Sequence, residues 1–115
     1  MIGDLLLVEV GDKRLALPTA RVREVAAAAA VTPVPTAPAP VAGLTQLRGQ
    51  IVPVLDLGTG PPRAPRPSDP IVIVELGPAR AALLCDRVIG LGALGDAELV
   101  DVGELFDGLR KQVRP

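Results

Sequence analysis

Reactive side chains are scarce in this chain, and that scarcity decides most of what it can do. The 115 residues include no histidine and one cysteine, Cys85. Without histidine, Ser-His-Asp and Cys-His catalysis are excluded, as is any His-containing metal site. A single cysteine makes neither a zinc site nor an internal disulfide. Cys85 stands beside Asp86, a thiol next to a carboxylate. It closes an apolar run and has no candidate base, so it reads as a small core residue. Asp96, Glu98, Asp101 and Glu104 spread over nine positions. A calcium loop needs denser oxygen ligands around a fixed glycine, so these four read as a solvated face. No GxxxxGK[ST] phosphate loop occurs. The chain is therefore expected to have no catalytic residues, metal or cofactor and not to be an enzyme. Binding or scaffolding remains.

The charges narrow the partners. Twelve basic and thirteen acidic residues give a net charge of -1, with no basic tail to attract nucleic acid or an anionic membrane. One Phe and no Trp or Tyr exclude a base-stacking platform. No apolar run approaches the ~20 residues of a membrane-spanning helix. The start, Met1-Ile2-Gly3-Asp4, lacks the basic region of a signal peptide. These features predict a cytoplasmic protein with no nucleic-acid partner and no direct membrane insertion. At this length residues 1–115 make one domain.

The elements are mostly short and extended. Leu5–Val10 predicts a strand, Gly11-Asp12 a tight turn and Arg14–Leu17 its hairpin partner. Thr19 is placed to cap a short helix through Ala30, with Val22, Val25 and Ala26 on its apolar side. The alanines at 26–30 either continue that helix or form a spacer. Pro33, Pro35, Pro38 and Pro40 make 32–40 an extended connection; a proline-rich ligand is the alternative. Residues 41–47 lead to Arg48-Gly49 and the strand Ile51–Leu55. Pro53 places that strand at an edge or a bulge. Residues 58–70 read as a surface loop. Ile71–Leu76 and Ala79–Cys85 predict a second hairpin, Arg87–Leu91 and Ala97–Val102 further strands, and 103–113 a helix with Leu105, Phe106 and Leu109 on one face. Many short strands with frequent turn signals indicate a β-barrel or sandwich.

Three blocks carry a family resemblance. LLLVEVGDKRLALPTARVREV is followed by VTPVPTAPAPVAGLTQLRGQIVPVLDL and then by IVIVELGPARAALLCDRVIGL. In order and spacing they resemble the CheW family of bacterial chemosensory adaptors. The resemblance implies a mainly β fold of two small SH3-like barrels plus short helices, with about 11–70 in the first barrel and 1–10 with 71–115 in the second. It implies a non-enzymatic adaptor that binds the cytoplasmic domain of methyl-accepting chemoreceptors, in receptor arrays. A histidine kinase regulatory domain and other CheW-like domains are further implied partners.

By the same resemblance, Val22, Gly43 and Arg48 match the family's receptor- or kinase-contact region, and Glu24 matches an acidic position that pairs with Arg48. Gly43 would let a partner approach the backbone, Arg48 would supply a planar charged anchor and Val22 an exposed apolar contact; the plainer alternatives are a turn arginine that solvates a barrel end for Arg48 and a core position for Val22. Three departures stand out. Gln46 replaces the usual Asn. Gly58-Thr59-Gly60-Pro61-Pro62 replaces a short helical turn. Between Leu91 and Asp96 about two strands of the second barrel are missing, which predicts an open edge and weakened kinase coupling. The short form is similar to the minimal CheW-like proteins of gliding-motility systems. Self-association through the open edge, as a structural assembly protein, is the alternative function.

Overall fold

Two hairpin strands that are apolar at nearly every position organise the architecture. The computed structural model describes residues 4–28, 31–34, 39–58 and 63–113. In chain order the strands are β1 (Leu5–Val10), β2 (Lys13–Pro18), β3 (Val22–Ala27), β4 (Thr32–Pro33), β5 (Val41–Leu47), β6 (Gln50–Leu55), β7 (Pro70–Leu76), β8 (Ala79–Leu84), β9 (Arg87–Gly92) and β10 (Glu98–Leu99), followed by helix α1 (Val102–Val113). They form a four-stranded sheet, β10-β2-β1-β9, and a six-stranded sheet, β3-β7-β8-β6-β5-β4.

The hairpin β7–β8 serves two cores, which explains its unbroken apolar sequence. Ile71, Ile73, Ala82 and Leu84 join Val52, Val54 and Ala28 inside the curl of the six-stranded sheet. The alternate residues Val72, Val74, Ala81 and Leu83 face the other way. They pack with Leu6, Val8, Val10, Leu15 and Leu17 of the four-stranded sheet. Side chains alternate across a strand, so a strand buried on both faces has no polar positions to spare. Val102 and Phe106 of α1 complete this second core, and Leu105 and Leu109 pack against it. Asp101 starts the helix: its side chain accepts the Glu104 backbone N–H at 3.1 Å, a standard cap.

The structure corrects several expectations. No helix runs from Thr19. Thr19–Arg21 makes one 3-10 turn, and the Thr19 hydroxyl donates to the Asp4 carbonyl at 3.1 Å. The chain then extends as β3, paired antiparallel with β7. The alanines serve for their size. Ala26 and Ala28 pack inside the curled sheet, where a small barrel has little room. Val25, expected on the apolar side, is exposed. Residues 29, 30, 35–38 and 59–62 lie outside the described residues, and with them the end of the expected helix, Pro35, Pro38 and most of the 58–62 departure. Pro53 sits in an interior strand and not at an edge, but next to the irregularity where β5 shifts register between Val41 and Gly43. β6 lies between β5 and β8, yet its pairing with β8 begins only at Val54. The proline therefore occupies the stretch with one neighbour, opposite Leu44 of β5. The sheets also divide the chain differently from the 11–70 boundary: β2 belongs with β1, and β7 and β8 belong to the six-stranded sheet.

The shortened region has a simple geometry. Residues 93–97 carry the chain from β9 at one edge of the four-stranded sheet to β10 at the other. Three strand spacings are about 14 Å, within reach of six extended peptide steps at roughly 20 Å. β10 then pairs parallel to β2 over Glu98 and Leu99. Among the described residues β9 pairs with β1 alone, so the edge is open as expected.

A charge cluster ties residues 63–69 to Asp56 at the end of β6 and to Asp86 before β9. Arg63 donates to Asp69 at 2.7 Å and to Asp86 at 3.0 Å. Arg66 reaches Asp69 at 3.3 Å. Asp56 accepts the backbone N–H groups of Gly58 and Arg63 at 2.9 and 3.0 Å. Asp69 is buried. Burial opposes its ionisation, but the Arg63 side chain and the Arg66 backbone outweigh it and hold the carboxyl below its ordinary pKa. A depressed folded pKa means that this stabilisation is full above the unfolded value of about 3.9. It is lost as pH falls through the lower folded value. Asp69→Asn is expected to cost about 2 kcal/mol at neutral pH and to flatten the acid limb of the stability curve. Urea titrations between neutrality and acid pH check both.

Candidate functional site

The Arg48 position begins with a turn. β5 and β6 pair with Leu47 opposite Gln50, leaving Arg48 and Gly49 as a two-residue loop. Their φ values are +48° and +82°, the signature of a type I′ hairpin, whose twist suits the flanking strands. Gly49 takes this conformation freely. For an L side chain the left-handed region costs roughly 1–2 kcal/mol, and asparagine is the usual occupant. An arginine held there is a local cost offset by the rest of the hairpin.

That turn delivers Arg48 to β3. The Arg48 guanidinium donates to Glu24. β3 is one end of the six-stranded sheet and β5 lies next to the other, so the pair joins elements that meet because the sheet curls. The Arg48 side chain is 61% exposed and that of Glu24 28%. An ion pair so open to water adds no more than about 1 kcal/mol. Its effect is to orient the guanidinium while leaving donors free.

More charged residues share this end of the curl. On β7, β8, β6 and β3, the positions that continue the inner face beyond Ile73, Ala82, Val52 and Ala26 are Glu75, Arg80, Gln50 and Glu24. Arg80 donates to Glu75 at 3.2 Å and to Gln50 at 3.0 Å. β3 changes register between Val22 and Glu24, and Arg23 at that bulge reaches Glu75 at 3.5 Å. The result is a polar rim over an aliphatic interior.

The four residues expected at the site separate here. Arg48 and Glu24 are together. Val22 is half-buried opposite Val74 and packs against the core shared by the two sheets. Gly43 is buried, and the atoms closest to it belong to its own chain. A Cβ there would lie 2.6 Å from the Thr32 carbonyl oxygen and 2.8 Å from Val31. Within the chain, its close backbone approach is to Thr32 of β4. Residue type alone did not single out Arg23, Gln50, Glu75 and Arg80; the signal was their place at strand ends, just past the apolar positions.

Cys85 is fully buried in the core. Burial pushes its thiol up to about 12, with Asp86 adding to the shift. It stays protonated at neutral pH, and a thiol is a poor nucleophile. Among the described residues no group of three or more Cys, Asp or Glu is placed to hold a metal. No helix there is long and apolar enough to cross a membrane.

A family model described as CheW-like domain matches residues 4–110. The chain belongs to the CheW-like domain family. Members of this family are adaptors, not enzymes. Protein FrzA of Myxococcus xanthus is 35% identical over 95 residues, which span 79% of this chain and 59% of FrzA. A probable chemotaxis protein CheW of Rhizobium etli is 25% identical over 114 residues, 95% of this chain and 72% of that protein. The crystal structure of the scaffolding protein TtCheW from Thermoanaerobacter tengcongensis superposes with a TM-score of 0.67 at 29% identity, over 80% of this chain and 65% of TtCheW. The CheW-like fold expected from sequence is thus present, on a chain that spans under two thirds of FrzA and of TtCheW.

The structural account of Gly43 has a direct consequence. Gly43→Ala is expected to destabilise the domain by about 1–3 kcal/mol, the range for overpacking, because a backbone carbonyl cannot swing aside. A lower denaturant midpoint at unchanged m-value is the measurement.

Proposed function

We propose that this CheW-like chain is a cytoplasmic, non-enzymatic chemosensory adaptor. Its partner is the cytoplasmic tip of a methyl-accepting receptor, in arrays that control motility. The Arg48–Glu24 pair carries this reading. A guanidinium fixed at a hairpin tip in a disfavoured backbone conformation, yet largely exposed, gains little for folding and much for recognition. Backbone outliers of this kind gather at functional sites. The likeness to FrzA supports a gliding-motility system. Within such a system the chain resembles the short CheW-like protein FrzB, and kinase coupling would then be weak. The five-residue link from β9 to β10 supports that refinement, since it leaves little second-barrel surface for a kinase regulatory domain.

Binding to a receptor cytoplasmic fragment and to the kinase regulatory domain, measured side by side, tests both parts. Wild type is expected to retain the receptor fragment and Arg48→Glu to lose it at least about tenfold, as reversing an oriented interface charge does. Equal retention by both proteins removes Arg48 from the site. Tight calorimetric binding of the kinase domain would overturn the weakened coupling.

A second reading is favoured by one observation. Leu91 is 68% exposed and Ile89 is also exposed on β9, whose outer edge has no strand beside it among the described residues. Unprotected edges template pairing with another chain. Self-association through β9 would give a concentration-dependent dimer in light scattering, abolished by Leu91→Lys. A monomer at high concentration would count against it.

A further inference from the structure

We infer that the docking site extends beyond the Arg48–Glu24 pair to the whole rim of the curled sheet, and that this rim is built to receive a carboxylate-bearing segment of the partner. The inference rests on reading Arg48 as a docking residue and adds the residues that tune it. The rim carries three arginines, Arg23, Arg48 and Arg80, against two acids, Glu24 and Glu75, a surplus of one positive charge. Each acid is already engaged. Glu24 holds Arg48, while Glu75 is shared by Arg23 and Arg80. The arginines have capacity left, because a guanidinium has five N–H donors and Arg48 and Arg23 are substantially exposed. A rim with satisfied acceptors and spare planar donors matches a carboxylate, which accepts bidentate bonds from arginine.

Two rim residues act through others. Arg80 is the least exposed of the three arginines. It bonds Gln50, the residue that follows the Arg48-Gly49 turn, and so steadies the base of the hairpin that presents Arg48. Glu75 sets the charge balance, since it neutralises part of Arg23 and Arg80 at once. Both are positioning residues in this scheme.

The two residues make opposite predictions, which a purely structural role would not. Binding of a receptor cytoplasmic fragment is measured for wild type, Arg48→Glu, Arg80→Gln and Glu75→Gln at low and at physiological salt. Circular dichroism and thermal melts confirm that each variant is folded. Arg80→Gln brings the rim surplus to zero and should weaken binding about three- to five-fold, the range for one partly exposed charge. Glu75→Gln raises the surplus by one. It should tighten binding about two- to three-fold at low salt, with the gain shrinking as salt screens it. If Arg48→Glu loses binding while Arg80→Gln and Glu75→Gln match wild type, the extended rim is wrong and the Arg48 reading stands. If Arg48→Glu binds like wild type, the underlying reading fails, and the rim with it. Weakening by both Arg80→Gln and Glu75→Gln would also overturn the inference, because damage to the barrel would then be the cause.

Discussion

The hairpin β7–β8 is the constraint on which everything else rests, because it is one wall shared by two cores. Ile71, Ile73, Ala82 and Leu84 fill the inside of the curled sheet, and Val72, Val74, Ala81 and Leu83 fill the space between the sheets. Interiors pack at the density of organic crystals, so neither set can change volume without disturbing its own core. With one Phe and no Trp or Tyr, both cores are built almost wholly from aliphatic side chains. The narrower one relies on alanine to close around β3.

A wall buried on both faces forces charge to the strand ends. At the β7–β8 turn end lie Glu75 and Arg80, continuous with Arg23, Gln50 and the Arg48–Glu24 pair. At the opposite end Asp69 precedes β7 and Asp86 follows β8, bridged by Arg63. The two networks have different characters. The Asp69 cluster is drawn inward and ties residues 63–69 to Asp56 and Asp86. The Arg48–Glu24 pair is open to water and adds little to stability.

Much of the fold was legible because its periodicities are local. β1, the β1–β2 turn, β7–β8, β9 and α1 each carry their own pattern of apolar residues and turn signals, and their ends fell within a residue or so of expectation. β3 was misread because three of its residues, Val22, Val25 and Ala26, also fit a helical stripe. Its strand form is decided by pairing with β7, about fifty residues away in sequence, and long-range pairing overrides local propensity. Val41–Leu47 was read as a lead-in for a related reason: its partner, β6, lies across a turn whose Arg-Gly sequence departs from the usual Asn-Gly. At the site, the Arg48–Glu24 pair was anticipated only through family resemblance. Nothing in the residue types at 23, 75 and 80 shows that they converge, since that depends on the curl.

The pairing of β1 with β9 also bears on how the chain acquires its structure. Leu5 lies opposite Gly92 and Leu6 opposite Leu91, so the first strand completes its sheet only after some ninety residues have been made. Until β7 and β8 are made, the β1–β2 hairpin carries Leu6, Val8, Leu15 and Leu17 with no wall to cover them, and an isolated two-stranded hairpin is marginal in water. Closing so long a loop delays folding. On the ribosome the six-stranded sheet can assemble first, with β8 as its last strand. The N-terminal hairpin can then dock on that wall, and β10 and α1, made later, pack on it in turn.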